Sequence, residues 1–315
     1  MRLSPPLAEG LIGELFSLWE SVFGPGPHDI GVDVFRGAEE DHCRSTLFTT
    51  EAGGDVVGTC FSMHSRTLPV AGFAEVATRP DHRGRGIASA LCGQAIDDFN
   101  AANGEVFFLG TGNPEAARIY HRLGWRKIVG NNVMAYVSSG LSPEEYLVEF
   151  FRAPGEVTIS PGGPAIRVPM IALMVAPHDW QVLDANVGAF SCRYVLQTSC
   201  MGLFPRYVRA TAGNGTFFAA TTGDGRVVGL GSALRAEEGV YTVDGFVHRN
   251  FGEAWSGLIE TACLWGGDAR MEARVAAEDE EKREAFRDLG FSERGSAKPF
   301  DLSGRQVRAW TLSRT

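Results

Sequence analysis

Residues 73–99 hold the residue types best suited to chemistry. Arg79-Pro80-Asp81-His82 leads into Arg83-Gly84-Arg85-Gly86-Ile87-Ala88-Ser89. The residues before this loop read as a strand. Residues 87–99 read as a helix, because Ile87, Ala90, Leu91, Ala95 and Phe99 fall on one face. The first turn of a helix offers unpaired N–H groups and the positive end of a dipole, so it binds phosphate. Gly84 and Gly86 let main chain approach an anion closely. Arg83 and Arg85 add positive charge, and Ser89 adds a hydroxyl. A pyrophosphate is the natural guest. Other phosphate loops fit less well. No G-x-x-x-x-G-K-[ST] string occurs, and Gly84-x-Gly86-x-x-Ser89 lacks the third glycine or alanine of a dinucleotide fingerprint. The plain alternative is a surface turn with helix-capping charges.

The elements that must position this loop follow from spacing. Residues 11–23 carry apolar side chains at helical intervals, and Gly24-Pro25-Gly26-Pro27 stops that helix. Residues 46–50 and 56–64 read as two strands around a glycine-rich turn, and residues 73–78 as a third. Residues 106–110 form a short buried strand. Residues 114–123 form a helix, with Gly124 where a C-cap glycine belongs. Residues 125–129 and 133–137 close the pattern as strands. Residues 138–164 change character and read as a domain connection with a short helix around 144–151.

With 315 residues the chain exceeds one comfortable core, so two domains are expected. No apolar run approaches the ~20 residues of a membrane helix. The N-terminus lacks the layout of a signal peptide. Six scattered cysteines without a C-x-x-C predict neither a zinc site nor a disulfide framework, and they fit a cytoplasmic location. The net charge of −9 disfavours nucleic acid and would draw in a cationic amine, although solubility alone is the simpler account of it.

The second half repeats the first. His82-Arg83-Gly84-Arg85-Gly86-Ile87-Ala88 lines up with His248-Arg249-Asn250-Phe251-Gly252-Glu253-Ala254, 166 positions later. Asn113 through Trp125 lines up with Asp279 through Phe291 at the same 166. Asp55-Val56-Val57-Gly58 returns as Arg226-Val227-Val228-Gly229. One plan used twice is the simplest account. It predicts a first domain at 1–140, a linker at 141–164 and a second domain at 165–315. Residues 180–190 would be the second copy of the first helix.

Arg83-x-x-Gly86-x-Ala88 resembles the Q/R-x-x-G-x-G/A signature of the GNAT superfamily of N-acetyltransferases. Asn113-Pro114-Glu115-Ala116, Ile119-Tyr120 and Leu123-Gly124-Trp125 resemble its later motif. The resemblance is clear over about residues 10–137 and weak over 165–312. It implies an α/β (α+β) fold of two tandem domains, each a mixed, mostly antiparallel twisted sheet flanked by helices, the second copy degenerate. It implies acetyl-CoA as co-substrate, no metal, and transfer of the acetyl group to an amine. Main-chain groups of Val76, Ala77 and Thr78 would pair with the pantetheine arm. Main-chain N–H groups from Gly84 through Arg85, Gly86, Ile87 and Ala88 to Ser89, with Arg83 and Arg85 nearby, would hold the pyrophosphate. Asn113 would contact the cofactor where two strands splay. Tyr120 would protonate the leaving thiolate, a task that suits a phenol; the alternative is a core tyrosine.

Several of these enzymes carry a glutamate base five residues before the asparagine. Here that position is Phe108. Glu75 is the best replacement, with an outward-facing strand residue as the equal alternative. His82 and His121 are weaker candidates, and Cys60 and Cys92 are more simply buried than acyl carriers. In the second half Arg85 becomes Phe251, Ile87 becomes Glu253, Asn113 becomes Asp279 and Tyr120 becomes Phe286, which predicts a copy that no longer catalyses transfer. The acceptor is a small-molecule or peptide amine. Asp29, Asp33, Glu39, Glu40 and Asp41 would either greet it or form a solvated surface. Membrane and nucleic acid are not expected partners, and a homodimer is allowed.

Overall fold

The structure, a computed structural model, describes residues 1–26 and 28–315. Pro27 of the expected helix stop lies outside the described residues. The chain forms two compact units. The first comprises residues 1–146, 167–171 and 198–205, and the second comprises residues 147–166, 172–197 and 206–315.

The first unit begins with β1 (Arg2–Leu3), α1 (Glu9–Phe23), α2 (Val32–Phe35), β2 (Cys43–Ala52), β3 (Asp55–Ser65) and β4 (Val70–Thr78). It continues with α3 (Ile87–Ala101), β5 (Val106–Gly110), α4 (Pro114–Arg122), β6 (Arg126–Lys127) and β7 (Val133–Val137). The sheet order is β1-β2-β3-β4-β5-β7-β6. Every neighbouring pair is antiparallel except β4–β5, joined through α3. Phe99 of α3 stacks on Phe107 of β5 with centroids 4.8 Å apart, and Trp125 donates its indole N–H to Phe107 O at 2.9 Å. These buried rings fix α3 against the strand pair that it connects.

Further along lie α5 (Pro143–Arg152), β8 (Val157–Pro161), α6 (Met170–Val175), β9 (Val182–Asp184), β10 (Ala189–Phe190), α7 (Leu203–Thr211), β11 (Gly215–Thr222), β12 (Val227–Glu237) and β13 (Val240–Val247). The chain ends with α8 (Ala254–Trp265), β14 (Arg270–Ala276), α9 (Glu280–Asp288), β15 (Ser292–Leu302) and β16 (Arg305–Arg314). The second sheet runs β8-β11-β12-β13-β14-β16-β15, with β13–β14 parallel. Strand for strand this is the first sheet again, so the fold is two tandem α/β domains of mixed, mostly antiparallel sheet.

Three expectations need restating. Residues 141–164 hold α5 and β8, and β8 pairs with β11 of the second sheet. The strand expected at 125–129 shrinks to Arg126–Lys127. Residues 180–190 are not a helix but the hairpin β9–β10. Asp184 Oδ1 accepts the Asn186 N–H at 3.1 Å, and Gly188 sits at φ 65°. A side chain that captures its own backbone and a left-handed glycine both favour a turn over a helix interior.

Candidate active site

β4 and β5 stay paired only from Val70↔Val106 to Phe73↔Leu109. Beyond Phe73 they separate, and a cleft of about 920 Å³ opens between them. At that point β4 carries a bulge. Thr59 faces Ala77 and Phe61 faces Ala74, so Glu75 and Val76 together oppose Cys60. Glu75 takes φ 51°, rare for a residue with a Cβ. The strain is held by a relay: Trp19 Nε1 donates to Thr59 Oγ1 at 3.0 Å, and Thr59 Oγ1 donates to Glu75 O at 2.7 Å. The bulge re-aims the side chain, so Glu75 is 9% exposed and lines the cleft instead of facing outward.

The loop end of the cleft is bare main chain. Gly84 and Gly86 sit at φ 75° and 79°, and a Cβ on either would meet nothing within 4 Å. Left-handed backbone facing open space is where glycine leaves an anion room. Gly86 is the N-cap of α3 and no side chain caps that helix. Ile87, Ala88 and Ser89 of its first turn line the cleft. Arg83 Nε donates to Thr78 O at 3.2 Å, and Arg85 donates to Asp81 O at 3.1 Å.

Of the residues singled out from sequence, Glu75, Val76, Thr78, Arg83, Gly84, Gly86, Ile87, Ala88, Ser89, Asn113 and Tyr120 all line this cleft. Ala77 is buried opposite Thr59, and Arg85 is exposed; neither is among the lining residues. Asn113 is the N-cap of α4, its Oδ1 accepting the Glu115 N–H at 2.9 Å. Tyr120 is 5% exposed, and burial, followed by the Cys92 and Cys60 thiols, pushes its phenol well above the usual range. Burial pushes the Glu75 carboxyl up to about 8, with the Asp29 charge adding to the rise and the Ile30 N–H opposing it. His82 lines the cleft, His121 is exposed, and Phe108 is buried. Cys60 and Cys92 are buried outside the lining, and burial drives both thiols upward, which suits packing and not acyl transfer.

Sequence reasoning missed one wall. Thr198, Ser199, Cys200 and Met201 line the cleft, although they lie far along the chain. Ser199 Oγ donates to Asp29 Oδ2 at 2.5 Å and accepts the Gly202 N–H at 3.0 Å. A Cβ on Gly110 would come 2.7 Å from Thr198 O, and one on Gly72 would come 2.0 Å from Met201 Sδ. Those two glycines inside apolar strands were the available signal, since a lone strand glycine marks a close backbone approach. Of the five acidic residues, Asp29 lines the cleft. Glu39 forms a buried bidentate pair with Arg167 at 2.6 and 2.7 Å, and Asp33 pairs with Arg36 at 3.4 Å.

The second unit has no such loop. Gly252 sits at φ −51° and continues a helical turn, Phe251 is buried, and Glu253 takes the N-cap. Its main-chain donors are not splayed around a vacant anion site.

Residues 12–125 match the model of the acetyltransferase (GNAT) family. No curated protein matches the chain. Among solved structures, a GNAT-family acetyltransferase from Streptococcus pneumoniae aligns at 13% identity over 50% of this chain and 98% of its own, with a TM-score of 0.38. The ribosomal L7/L12 α-N-protein acetyltransferase RimL, bound to coenzyme A, aligns at 14% identity over 51% and 96%, with a TM-score of 0.40. The Vibrio cholerae spermidine N-acetyltransferase SpeG aligns at 12% identity over 50% and 92%, with a TM-score of 0.38. These likenesses say nothing of the acceptor. The family match falls on most of the elements that build the cleft: residues 12–125 match a GNAT acetyltransferase domain, and the members of that family are acyltransferases that use acetyl-CoA.

Proposed function

We propose that the first unit transfers the acetyl group of acetyl-CoA to a primary amine by direct attack in a ternary complex. The observation that carries this is the single cleft shared by the glycine loop, Glu75 and Tyr120. Main chain of Val76 and Thr78 would pair with the pantetheine arm, whereas Ala77 faces Thr59 of β3. Arg79 N–H already bonds Val57 O on β3, so by strand alternation the Thr78 groups face the open side. Arg83 and the N–H groups of residues 84–89 would hold the pyrophosphate, with Arg85 adding charge from outside the lining. Asn113 would touch the cofactor at the splay. A β4 N–H would polarise the thioester carbonyl, and holding both reactants makes the attack intramolecular. Glu75, flanked by Asp29, would accept the proton of a cationic amine, and Tyr120 would protonate the thiolate. The acceptor is thus a small-molecule or peptide amine. Six free thiols, all buried, support the expectation of a cytoplasmic protein.

Two kinetic results test this, with free thiol release as the assay over a panel of amines. Tyr120→Phe keeps the ring but removes the proton donor. Its kcat should fall about 100-fold while the KM for acetyl-CoA moves less than about threefold. Unchanged kcat would remove Tyr120 from the chemistry. Tight coenzyme A binding without turnover on any amine would make the unit a binding module.

The second result concerns pH. A base must be ionised, and with its carboxyl raised to about 8 Glu75 is mostly protonated at pH 7. Therefore kcat/KM for the amine should climb about tenfold per pH unit below 8 and level above it. In Glu75→Gln the levelling above pH 8 should disappear, kcat/KM climbing from a lower value until the acceptor's own ionisation is complete. Identical pH profiles for both proteins would exclude Glu75 as the base.

A further inference from the structure

The second unit contains the counterpart of the first unit's cleft, and its own chain lies in it. Glu75 stands two residues beyond Phe73↔Leu109, the last parallel pair of β4 and β5. Asp244 stands two residues beyond Thr242↔Glu272, the last parallel pair of β13 and β14. Asn113 caps α4 where Asp279 precedes α9, and Ala116 in α4 corresponds to Lys282 in α9. Glu75, Asn113 and Ala116 line the open cleft of the first unit.

Their three counterparts are all bonded to one short piece of main chain. Asp279 Oδ1 accepts the Gln181 N–H at 2.8 Å, and Oδ2 accepts the Val182 N–H at 3.0 Å. Lys282 Nζ donates to Val182 O and to Leu183 O, both at 2.9 Å. Asp244 Oδ2 accepts the Ala185 N–H at 2.7 Å, and its Oδ1 meets Lys282 Nζ at 2.6 Å. Val182, Leu183 and Asp184 are completely buried. An extended peptide offers the same alternating N–H and C=O groups as an extended arm carrying amides. The side chains of Asp244, Asp279 and Lys282 are therefore already engaged by the main chain of residues 181–185.

We propose that β9 is a built-in occupant of the second unit's cofactor groove, so that the chain binds one coenzyme A and not two. The inference rests on reading the first unit's cleft as the coenzyme A site. The charges agree with it. Asp279, Glu280 and Glu281 surround the start of α9, and Glu253 caps α8, so an incoming diphosphate meets carboxylates at both helix ends. Lys282 is consumed by Asp244 and two carbonyls.

Titration calorimetry of the full chain with coenzyme A tests this together with hydrogen exchange. One molecule per chain should bind. Gly86→Glu should remove all the heat, while Gly252→Glu should change neither stoichiometry nor affinity. Coenzyme A should slow exchange at residues 83–89 and leave residues 181–185 unaffected, already as slow as β13. A second equivalent of coenzyme A, binding that survives Gly86→Glu, or rapid exchange at residues 181–185 would overturn the proposal. If the wild type gives no heat at all, the function assigned to the first unit falls. Exchange at residues 181–185 still decides whether β9 fills the second groove.

Discussion

Gly86→Glu should weaken coenzyme A binding at least 100-fold and lower kcat/KM for acetyl-CoA by a similar factor, with the fold intact. Two effects add. A side chain at φ 79° costs roughly 1–2 kcal/mol of backbone strain, about a tenfold loss if the bound state alone demands that geometry. The larger effect is charge, because a carboxylate at the N-cap of α3 would occupy the position proposed for the diphosphate. Gly86→Ala separates the two: it carries the strain without the charge, so it should cost about tenfold or less. Neither variant should unfold the protein, since a Cβ at Gly86 meets nothing within 4 Å. Calorimetry gives the affinity, and a melting temperature within a few degrees of wild type excludes unfolding as the cause. If Gly86→Glu binds coenzyme A normally, the diphosphate is held elsewhere and the site assignment fails.

The loop was legible because its chemistry is local: two glycines, two arginines and a helix start within seven residues. The repeat was legible because two motifs kept one spacing, and the two sheets have one strand order. What escaped was non-local. Glu75 reads as half of an ordinary alternating strand. Hydrogen bonds from Trp19 through Thr59, distant in sequence, tie down the bulge that turns its carboxyl into the cleft. The wall at residues 198–201 is separated from Asp29 by 170 positions, and a single-sequence pattern carries no trace of such a pairing beyond two strand glycines. The hairpin at residues 182–190 was misread as a helix for a related reason. Its apolar residues suit either period, and what decides is the set of partners offered by Asp244, Asp279 and Lys282.

Those partners set the second large effect. Lys282→Ala should destabilise the second unit by about 3–5 kcal/mol, the usual cost of leaving a buried charge without its partner. Lys282 and Asp244 side chains are 0% and 1% exposed, and the ammonium also serves two carbonyls. Burial already pushes the Asp184 and Asp244 carboxyls upward, and their mutual repulsion adds to the rise at Asp184. Without the ammonium both should rise further. A carboxyl that holds its proton more tightly when folded makes stability fall as pH increases above its unfolded value, about 3.9. The loss should therefore be larger at pH 8 than at pH 5, whereas simple cavity formation would be insensitive to pH. Denaturant unfolding followed at Trp180, whose ring lies 5.2 Å from the Lys282 ammonium, reads both conditions. Lys282→Met combined with Asp244→Leu should recover only part of the stability, because the ion pair is then replaced but Val182 O, Leu183 O and the Ala185 N–H lose their partners. A loss below about 1 kcal/mol for Lys282→Ala is the figure expected of an exposed ion pair. It would mean that the Lys282 ammonium does not hold β9, and the groove of the second unit would then be closed by the Asp279 and Asp244 hydrogen bonds and by packing.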